Sequence, residues 1–391
     1  MVHEVDVLIV GSGPSGTSTA LHLVQQDPAW AGRMVVVDKA VHPREKLCGG
    51  GLTHIGYNVL SNLGLRFEPH SVKIKEIRLV YQDKQYSFYG DPVLNIVRRD
   101  EFDHWLVQQA EARGVEVRQG EGVTAITPHD DYVEVVTDKA TFQAKVLVGA
   151  DGSRSFVRQA LKWDDESRVA RLIEVLTPED ARTQPEFRDK VAVFDFTAMT
   201  DGLQGYYWDF PSFVQGQPFM NRGLFDSRAR PERPKAKLKE ELADFLAVRD
   251  RDLNDYKLKG HPIRWWDENG RFAIDRVILV GDAAGADPLF GEGISFALAY
   301  GEVGAAAISD AFARQEFSFA TYQDQLLERY LFRHLNFRTK LARYAYTVKS
   351  PRYVRAGWQV ARWLIKWTRW GSPGHNPTKP PSPVQQLMVN R

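Results

Sequence analysis

Four short apolar runs recur along the chain and predict the strands of a buried parallel sheet. They are residues 5–10 (VDVLIV), 34–37 (MVVV), 145–149 (KVLVG) and 276–280 (RVILV). These runs lack the alternation of a half-exposed strand, which indicates that both faces of the sheet are covered. A helix that starts near Pro14 would join the first two runs. The pattern therefore predicts an α/β fold built on a parallel sheet.

A second pattern, in which polar and apolar residues alternate, predicts an antiparallel layer. Residues 168–226 follow it over most of their length, as expected of strands that bury one face. Residues 74–81 and 85–89 are typical of a hairpin that leaves the first unit. Shorter strands are predicted near 115–118, 123–127 and 132–137.

Helical periodicity predicts three further helices and a helical C-terminal region. In residues 100–113 the side chains of Phe102, Trp105 and Leu106 share one face. Residues 234–248 form a charged surface helix, and residues 291–312 form a glycine-rich one. The last part of the chain is predicted to be helical until Gly371, after which five prolines favour an extended tail.

Composition is that of a soluble globular enzyme. Apolar residues make up 43% and charged residues 26% of 391 residues. The single cysteine, Cys48, excludes an internal disulfide and a cysteine-cluster metal site, and we expect no metal. The start of the chain does not resemble a signal peptide, and no run of 18 apolar residues predicts a spanning helix. We therefore expect a cytoplasmic protein.

The C-terminal segment carries a large excess of positive charge. Residues 329–391 contain 13 Lys or Arg and no acid, although the net charge of the chain is only +1. On a helix over residues 352–370, Arg355, Arg362, Lys366 and Arg369 share one face, and Val360, Trp363, Leu364, Trp367 and Trp370 share the opposite face. Such a helix fits peripheral contact with an anionic membrane. It equally fits a helix whose aromatic face packs on the protein while its basic face is solvated.

A glycine-rich turn follows the first apolar run and predicts a dinucleotide site. Gly11, Gly13 and Gly16 complete the spacing G-x-G-x-x-G, and Asp38 ends the second run. The first glycine allows the tight turn, the second admits a pyrophosphate, and the third lets helix and strand pack closely. The helix N-terminus attracts the pyrophosphate, and Asp38 is placed to accept a hydrogen bond from a ribose hydroxyl.

Two later segments each place an aspartate at the end of an apolar run. Asp151-Gly152 follows the third apolar run, and Asp282 follows the fourth, ahead of Pro288 and Gly291-Glu-Gly-Ile294. Together with the glycine turn, these segments resemble the FAD-containing family of the aromatic hydroxylases over about residues 5–310. The resemblance implies that Asp282 binds the ribityl chain, and that the positive end of the helix starting near Gly291 faces the flavin ring. It implies that Arg99 reaches the FAD phosphates, with Arg98 as the alternative. The implied cofactor contacts are Gly11, Gly13, Pro14, Ser15, Gly16, Asp38, Lys39, Cys48, Gly49, Gly50, Arg99, Val123, Asp151, Asp282, Pro288, Gly291, Gly293 and Ile294.

The domain organisation follows from the order of the predicted strands and helices along the chain. We expect a discontinuous, Rossmann-like FAD-binding domain made of residues 1–70, 97–167 and 266–320. The antiparallel-sheet substrate-binding domain would be inserted as residues 71–96 and 168–265. A C-terminal helical region, residues 321–371, and an extended tail, residues 372–391, would complete the chain.

Three further segments stand out: Lys46-Leu-Cys-Gly-Gly-Gly51, Tyr206-Tyr-Trp-Asp-Phe-Pro211 and Pro288-Leu-Phe-Gly-Glu-Gly293. They resemble the geranylgeranyl reductase family, whose members saturate double bonds of isoprenoid chains. The family carries a Cys-Gly-Gly turn beside the flavin and a Pro-x-x-Tyr-x-Trp-x-Phe-Pro strand along the substrate tunnel. Leu203 stands where the family has its leading proline. The resemblance implies that Tyr206, Trp208, Phe210 and Pro211 line a lipidic or prenyl substrate. Without it, the same strand could be simply the core face of a sheet.

Alkene reduction would need a hydride from flavin N5 and a proton for the other carbon. Cys48, Tyr206 and Trp208 are the catalytic candidates, with Cys48 either positioning the substrate or relaying the proton. The structural alternative for Cys48 is a small buried apolar residue. His54 is a second candidate, although a lone histidine is more often structural.

An FAD monooxygenase that hydroxylates an aromatic or polyketide substrate is the main alternative, because the same fold hosts both reactions. A flavin halogenase is weaker, because Tyr206 replaces the first tryptophan of its Trp-x-Trp-x-Ile-Pro motif and neither Lys73 nor Lys75 has the context of its catalytic lysine. A non-enzymatic, flavin-bearing membrane module would leave Tyr206 and Trp208 unexplained. No second G-x-G-x-x-G is present, so we expect the reductant, NADPH or a redox protein, to bind only transiently. We expect no nucleic acid partner.

Overall fold

The computed structural model describes residues 2–163 and 168–367, and for residues 330 and 364–367 only the backbone. Its strands are β1 (Val2–Val10), β2 (Met34–Asp38), β3 (Gly51–Thr53), β4 (Ser71–Tyr81), β5 (Lys84–Val97), β6 (Glu116–Gln119), β7 (Val123–Pro128), β8 (Val133–Thr137), β9 (Thr141–Gly149), β10 (Val169–Pro178), β11 (Val191–Asp195), β12 (Gly205–Val214), β13 (Gln217–Asp226), β14 (Lys259–Arg264), β15 (Ala273–Ile274) and β16 (Val277–Leu279). Its α-helices are α1 (Pro14–Gln26), α2 (His54–Asn62), α3 (Arg99–Glu111), α4 (Phe156–Ala160), α5 (Pro185–Arg188), α6 (Leu238–Ala247), α7 (Ile294–Arg314), α8 (Tyr322–Glu328), α9 (Tyr330–Ala345) and α10 (Pro351–Trp367).

The first sheet has the strand order β15-β16-β9-β1-β2-β6. The central strands β16, β9, β1, β2 and β6 run parallel, and the hairpin β7–β8 attaches to β9 through antiparallel pairing. Val7, Leu21 and Leu298 are fully buried where β1, α1 and α7 share one core. The parallel sheet predicted from the four apolar runs is confirmed, because each run lies in or directly beside one of these strands.

The second sheet has the order β14-β10-β13-β12-β11-β4-β5-β3. Its pairings are antiparallel except for β11 on β4. One face carries Tyr206 and Trp208 from β12. The opposite face carries Tyr207, whose ring stacks on Phe245 of α6 with centroids 4.6 Å apart. The prediction of a Rossmann-like α/β fold with an antiparallel layer and a helical C-terminus is confirmed.

Several boundaries differ from the predictions for local backbone reasons. The glycine-rich helix begins at Ile294 rather than at residue 291, because Gly291 has a φ of +66° that no right-handed helix accepts. Arg276 has a φ of 64°, so strand β16 begins one residue later than predicted. Strand β3 and helix α2, which follow the Cys48 turn directly, were not predicted from the sequence pattern.

Helix α10 packs on the protein through residues that belong to neither the predicted basic face nor the predicted aromatic face. Val354 is buried, and the Trp358 ring lies 4.8 Å from that of Phe196 on the second sheet. Val360 and Trp363, from the predicted aromatic face, are 57% and 60% exposed. The side chains of residues 364–367 and all of residues 368–370 lie outside the described part of the chain, so both alternatives for this face stay predictions. The predicted tail lies outside the described residues as well.

Candidate active site

The glycine turn between β1 and α1 is closed so tightly that side chains are excluded from it. Gly11 has a φ of +106°, and a Cβ there would lie 2.4 Å from the Ala150 carbonyl oxygen. A Cβ at Gly16 would lie 1.9 Å from the Gly11 carbonyl oxygen. No side chain caps the N-terminus of α1, whose N-cap is Gly13. The backbone N–H groups of the first turn are therefore available to an anion.

Asp38 is held beside this turn by hydrogen bonds from both sides. Its Oδ2 accepts from Ser12 N at 2.8 Å and from Ser12 Oγ at 2.7 Å, and its Oδ1 accepts from Ala40 N at 2.9 Å. Ser12 Oγ is also 2.8 Å from His42 Nε2. The carboxylate lines the cavity described below, where its remaining lone pairs can accept from a ribose hydroxyl. Sequence reasoning missed Ser12 and His42, which have no distinctive motif.

Two arginines bring positive charge towards the turn. Arg99 donates to Asp103 from Nε at 2.7 Å and from Nη2 at 2.8 Å. Arg44 Nη2 lies 3.2 Å from the same carboxylate and 3.5 Å from the position of a Cβ at Gly13. Both arginines line the cavity, whereas Arg98 does not. Arg44 was not predicted, although it lies in the basic segment just before Cys48.

One continuous cavity of about 2470 Å³ runs from the glycine turn to the C-terminal helices. A typical small-molecule site has about 300–1,000 Å³, so this cavity has room for a dinucleotide and a second ligand. It is lined by most of the predicted cofactor residues, namely Gly11, Gly13, Pro14, Ser15, Asp38, Lys39, Cys48, Gly49, Gly50, Arg99, Val123, Asp151, Asp282, Gly291, Gly293 and Ile294. Gly16, Pro288 and Pro211 are not among its lining residues. Gly16 instead serves the close approach of α1 to the turn.

The polar groups of the lining fit a bound dinucleotide. Asp151 Oδ1 is buried without a hydrogen-bond partner, although its Oδ2 accepts from Val157 N at 3.0 Å. Burial raises the pKa of this carboxyl. Asp282 Oδ1 lies 3.5 Å from the position of a Cβ at Gly293, at the start of α7. A carboxyl with an unused oxygen, glycines that leave the backbone open and a free helix N-terminus are what a phosphate- and ribose-bearing cofactor needs.

The Cys48 turn and the start of α7 line the cavity beyond the glycine turn. Cys48 is half-buried, and its Sγ accepts from Gly50 N at 3.4 Å. Burial raises the pKa of this thiol, so it stays protonated at neutral pH. A Cβ at Gly49 would lie 3.0 Å from the Phe210 ring. The turn therefore depends on glycine to lie flat against the aromatic residues of β12.

Tyr206, Trp208 and Phe210 alternate along β12 and form an aromatic wall of the cavity. The Tyr206 hydroxyl donates to the Phe290 carbonyl oxygen at 2.5 Å. The Phe194 ring, from β11, lies 4.9 Å from that of Phe210 and extends the wall. Pro211 lies on the same strand, paired with Met220, but outside the cavity. The wall presents a mainly apolar surface next to Cys48.

Lys46 and His261 form a polar pair in the same cavity that the sequence did not indicate. Lys46 Nζ lies 2.8 Å from His261 Nε2, although 215 residues separate the two. Burial lowers the pKa of Lys46 to about 8. Burial, and then the charge of Lys46, lowers the pKa of His261 to about 4. His261 is therefore neutral at pH 7 and accepts a hydrogen bond from the ammonium group.

The far end of the cavity is bounded by apolar side chains of α9 and α10. We call the exposed ones the C-terminal surface: Phe337, Leu341, Tyr344, Tyr353, Val360 and Trp363, which are 63%, 39%, 70%, 74%, 57% and 60% exposed. The first four also line the cavity. No described helix is both long enough and apolar enough to span a membrane. Within residues 2–163 and 168–367, no cluster of three or more His, Cys, Asp or Glu side chains could hold a metal ion.

Comparison with known proteins agrees with this geometry. The model of the family described as "FAD binding domain" matches residues 4–298. A digeranylgeranylglycerophospholipid reductase of Methanosphaera stadtmanae is 25% identical over 341 residues, which cover 83% of this chain and 82% of that protein. A menaquinone reductase of Mycolicibacterium smegmatis is 27% identical over 330 residues, covering 77% of this chain and 76% of that protein.

Solved structures share the fold. A geranylgeranyl bacteriochlorophyll reductase-like protein from Thermoplasma acidophilum superposes with a TM-score of 0.74 at 18% identity, covering 100% of this chain and 96% of that chain. A halogenase superposes with a TM-score of 0.71 at 19% identity, covering 93% of this chain and 80% of that chain. These similarities show the fold, and they do not choose between reduction and oxygenation.

Proposed function

Since this chain belongs to the FAD binding domain family and is an FAD-dependent oxidoreductase, we propose that it saturates carbon–carbon double bonds in an isoprenoid or related lipidic substrate. The resemblance to the geranylgeranyl reductases, first drawn from three motifs, is confirmed. The observation that carries the proposal is the position of the aromatic wall. Tyr206, Trp208 and Phe210 line the same cavity as Cys48 and the glycine turn.

The residues of the cavity suit this reaction. Bound FAD would supply a hydride from N5. The aromatic wall would hold an extended apolar chain and exclude water from the reacting bond. Cys48, whose thiol is protonated at neutral pH because burial raises its pKa, is the candidate to hold or deliver the proton at Sγ. The hydroxyl of Tyr206 donates to Phe290, so we assign Tyr206 to substrate positioning rather than to proton transfer.

The substrate class is supported by the names of the relatives. Digeranylgeranylglycerophospholipid and menaquinone have different headgroups but share an isoprenoid chain. The apolar end of the cavity, between the aromatic wall and α9, suits that shared chain. We propose a polyprenyl lipid as the substrate, reduced with electrons from NADPH or a redox protein that binds only transiently.

We further propose that the protein takes this lipid from an anionic membrane to which it binds peripherally. The C-terminal surface exposes aromatic side chains where the cavity ends. Arg352 and Arg362 are exposed on the same helix, α10, and no acidic residue follows Glu328 in the sequence. Exposed aromatic and basic side chains together are typical of a helix at a lipid interface. In this proposal the membrane-binding segment includes α9 in addition to residues 352–370, the segment predicted from the sequence.

An oxygenase is the second candidate, because the fold is shared with a halogenase and with a p-nitrophenol 4-monooxygenase. Oxygen use distinguishes the two reactions. The holoenzyme would be reduced with dithionite under nitrogen and mixed with a polyprenyl lipid in detergent. We expect flavin reoxidation together with a saturated product detected by mass spectrometry. A product that forms only after air is admitted would contradict the reductase.

A further inference from the structure

Arg338 of α9 lies at the centre of a buried ion cluster that touches the cavity. Its Nη1 donates to Asp287 Oδ2 at 2.8 Å and to Glu292 Oε2 at 2.6 Å. The side chains of Asp287 and Glu292 are 0% and 9% exposed. One guanidinium is therefore shared between two carboxyl groups in a site where water contributes little screening.

The cluster joins three segments of the cavity wall. Glu292 Oε1 accepts from Thr53 Oγ1 at 2.6 Å, just after the Cys48 turn. Asp287 Oδ1 accepts from Leu289 N at 2.8 Å, and its Oδ2 accepts from Phe290 N at 3.3 Å. These bonds fix the loop of residues 287–293, which leads into α7. Arg338 thus ties α9 to both segments that flank the start of that helix.

The charges of the cluster face the part of the cavity where the family resemblance places the flavin ring. Glu292 lines the cavity between Gly291 and Gly293. The Arg338 guanidinium opposes the effect of burial and holds the pKa of Glu292 below its usual value, so this carboxylate is ionised. Burial raises the pKa of Asp287 despite the same guanidinium. Without Arg338, at least one bare negative charge would remain at the positive end of α7.

We propose that Arg338 is a positioning residue that offsets the charge of Glu292 and Asp287 and thereby stabilises the reduced, anionic form of the bound FAD. Reduction adds negative charge to the flavin ring, so a nearby uncompensated carboxylate raises the free energy of the reduced form. The inference rests on FAD as cofactor and not on the identity of the lipid. A holoenzyme that reduces no alkene would still show the effect described below.

The test is the midpoint potential of the purified holoenzyme, measured by equilibration with a redox dye of known potential. For Arg338→Gln we expect a shift to more negative potential, since two carboxyl groups lose their counter-charge. For Glu292→Gln we expect the opposite shift, to more positive potential. The double variant should lie between the two. Arg338→Lys keeps the charge and should remain near the wild-type value.

Arg333→Gln is the matched control, because Arg333 is exposed on the same helix and its Nη2 donates to the Glu328 carbonyl oxygen rather than to a carboxylate. It removes the same charge and should leave the potential unchanged. If the role of Arg338 were purely structural, Arg338→Gln and Glu292→Gln would both weaken FAD binding and lower thermal stability. Their midpoint potentials would then not shift in opposite directions. Shifts of the same sign, or none, would overturn the proposal. If Arg338→Gln does not fold, Glu292→Gln alone still tests the sign, since it retains Arg338 with Asp287.

Discussion

The side chain of Asn221 connects Trp208 to the backbone of Cys48. Trp208 Nε1 donates to Asn221 Oδ1 at 2.8 Å, and Asn221 Nδ2 donates to the Cys48 carbonyl oxygen at 3.0 Å. Asn221 thus fixes the position of the aromatic wall on β12 relative to the turn that carries Cys48. Asn221 itself lies on β13, one strand away, and is 1% exposed.

Replacing Asn221 with alanine should loosen this relation and destabilise the protein. The change leaves a buried indole N–H and a carbonyl oxygen without partners, which costs about 1–3 kcal/mol for each group. We expect a lower free energy of unfolding in urea and, for a lipid substrate, a raised KM. Asn254→Ala, at an exposed position, is the control. If Asn221→Ala and Asn254→Ala had the same free energy of unfolding, the two hydrogen bonds of Asn221 would not contribute to stability.

Cys48→Ala tests whether the thiol takes part in the reaction. If Cys48 holds or relays the proton, single-turnover reoxidation of the reduced enzyme by lipid should slow by about 10²-fold or more, the usual contribution of a positioned acid. Stopped-flow absorbance of the flavin measures this rate directly. Cys48→Ser keeps a small hydroxyl donor and should retain more activity than Cys48→Ala. An unchanged rate in Cys48→Ala would remove Cys48 from the mechanism.

The pH dependence of stability should reveal the buried state of His261. Its pKa is about 4 in the folded protein against 6.5 for the free side chain. The unfolded chain therefore binds more protons between these values, so stability is lost as the pH falls from 6.5 towards 4. The difference corresponds to roughly 3 kcal/mol at most. Urea titrations of the apoprotein at several pH values should show this loss in the wild type and a smaller loss in His261→Gln.

Glu174 should affect the pH dependence of stability in the opposite direction to His261, over an overlapping pH range. Burial raises its pKa to about 7 from 4.5, so its contribution to stability is complete below pH 4.5 and is lost as the pH rises through 7. Glu174→Gln should therefore lose less stability than the wild type between pH 4.5 and 7. His261→Gln and Glu174→Gln should therefore change the pH dependence of the free energy of unfolding in opposite directions. Changes in the same direction would show that the assigned protonation states are wrong.

Membrane binding should depend on the exposed side chains of the C-terminal surface. The double variant Tyr353→Ser with Trp363→Ser should sediment less with vesicles that contain anionic phospholipid. Val248→Ser is the matched control, because Val248 is 80% exposed but lies at the end of α6. Raising the salt concentration should weaken the binding of the wild type, since basic residues attract the anionic lipid. Equal sedimentation of the double variant and the control would contradict membrane docking through this surface.

The part of the site that spacing alone predicts, without the family resemblance, is encoded locally. Gly11 to Asp38 form one strand–helix–strand unit, so their spacing alone indicates a nucleotide site. Lys46 and His261 meet across 215 residues, and Asn221 meets Cys48 across 173. Such pairs depend on how the two sheets pack, which no local pattern specifies. Arg338 belongs to the same class, because its partners lie 51 and 46 residues earlier in the chain.

Helix α10 shows a further limit of sequence patterns. Its amphipathic pattern does not say which edge of the helix meets the protein. Val354 and Trp358 provide that edge because they fit against Phe196 and the second sheet. Tyr353 and Trp363 of the same helix are 74% and 60% exposed.

The position of the C-terminal surface at the end of the cavity affects how the enzyme could select its substrate. A lipid that leaves a bilayer for the cavity moves from one apolar medium to another, so the hydrophobic effect contributes little to its transfer. Discrimination between chains would then depend on dispersion contacts and shape at the aromatic wall. Affinities measured with short, water-soluble analogues would overstate the free energy that holds the natural lipid in place.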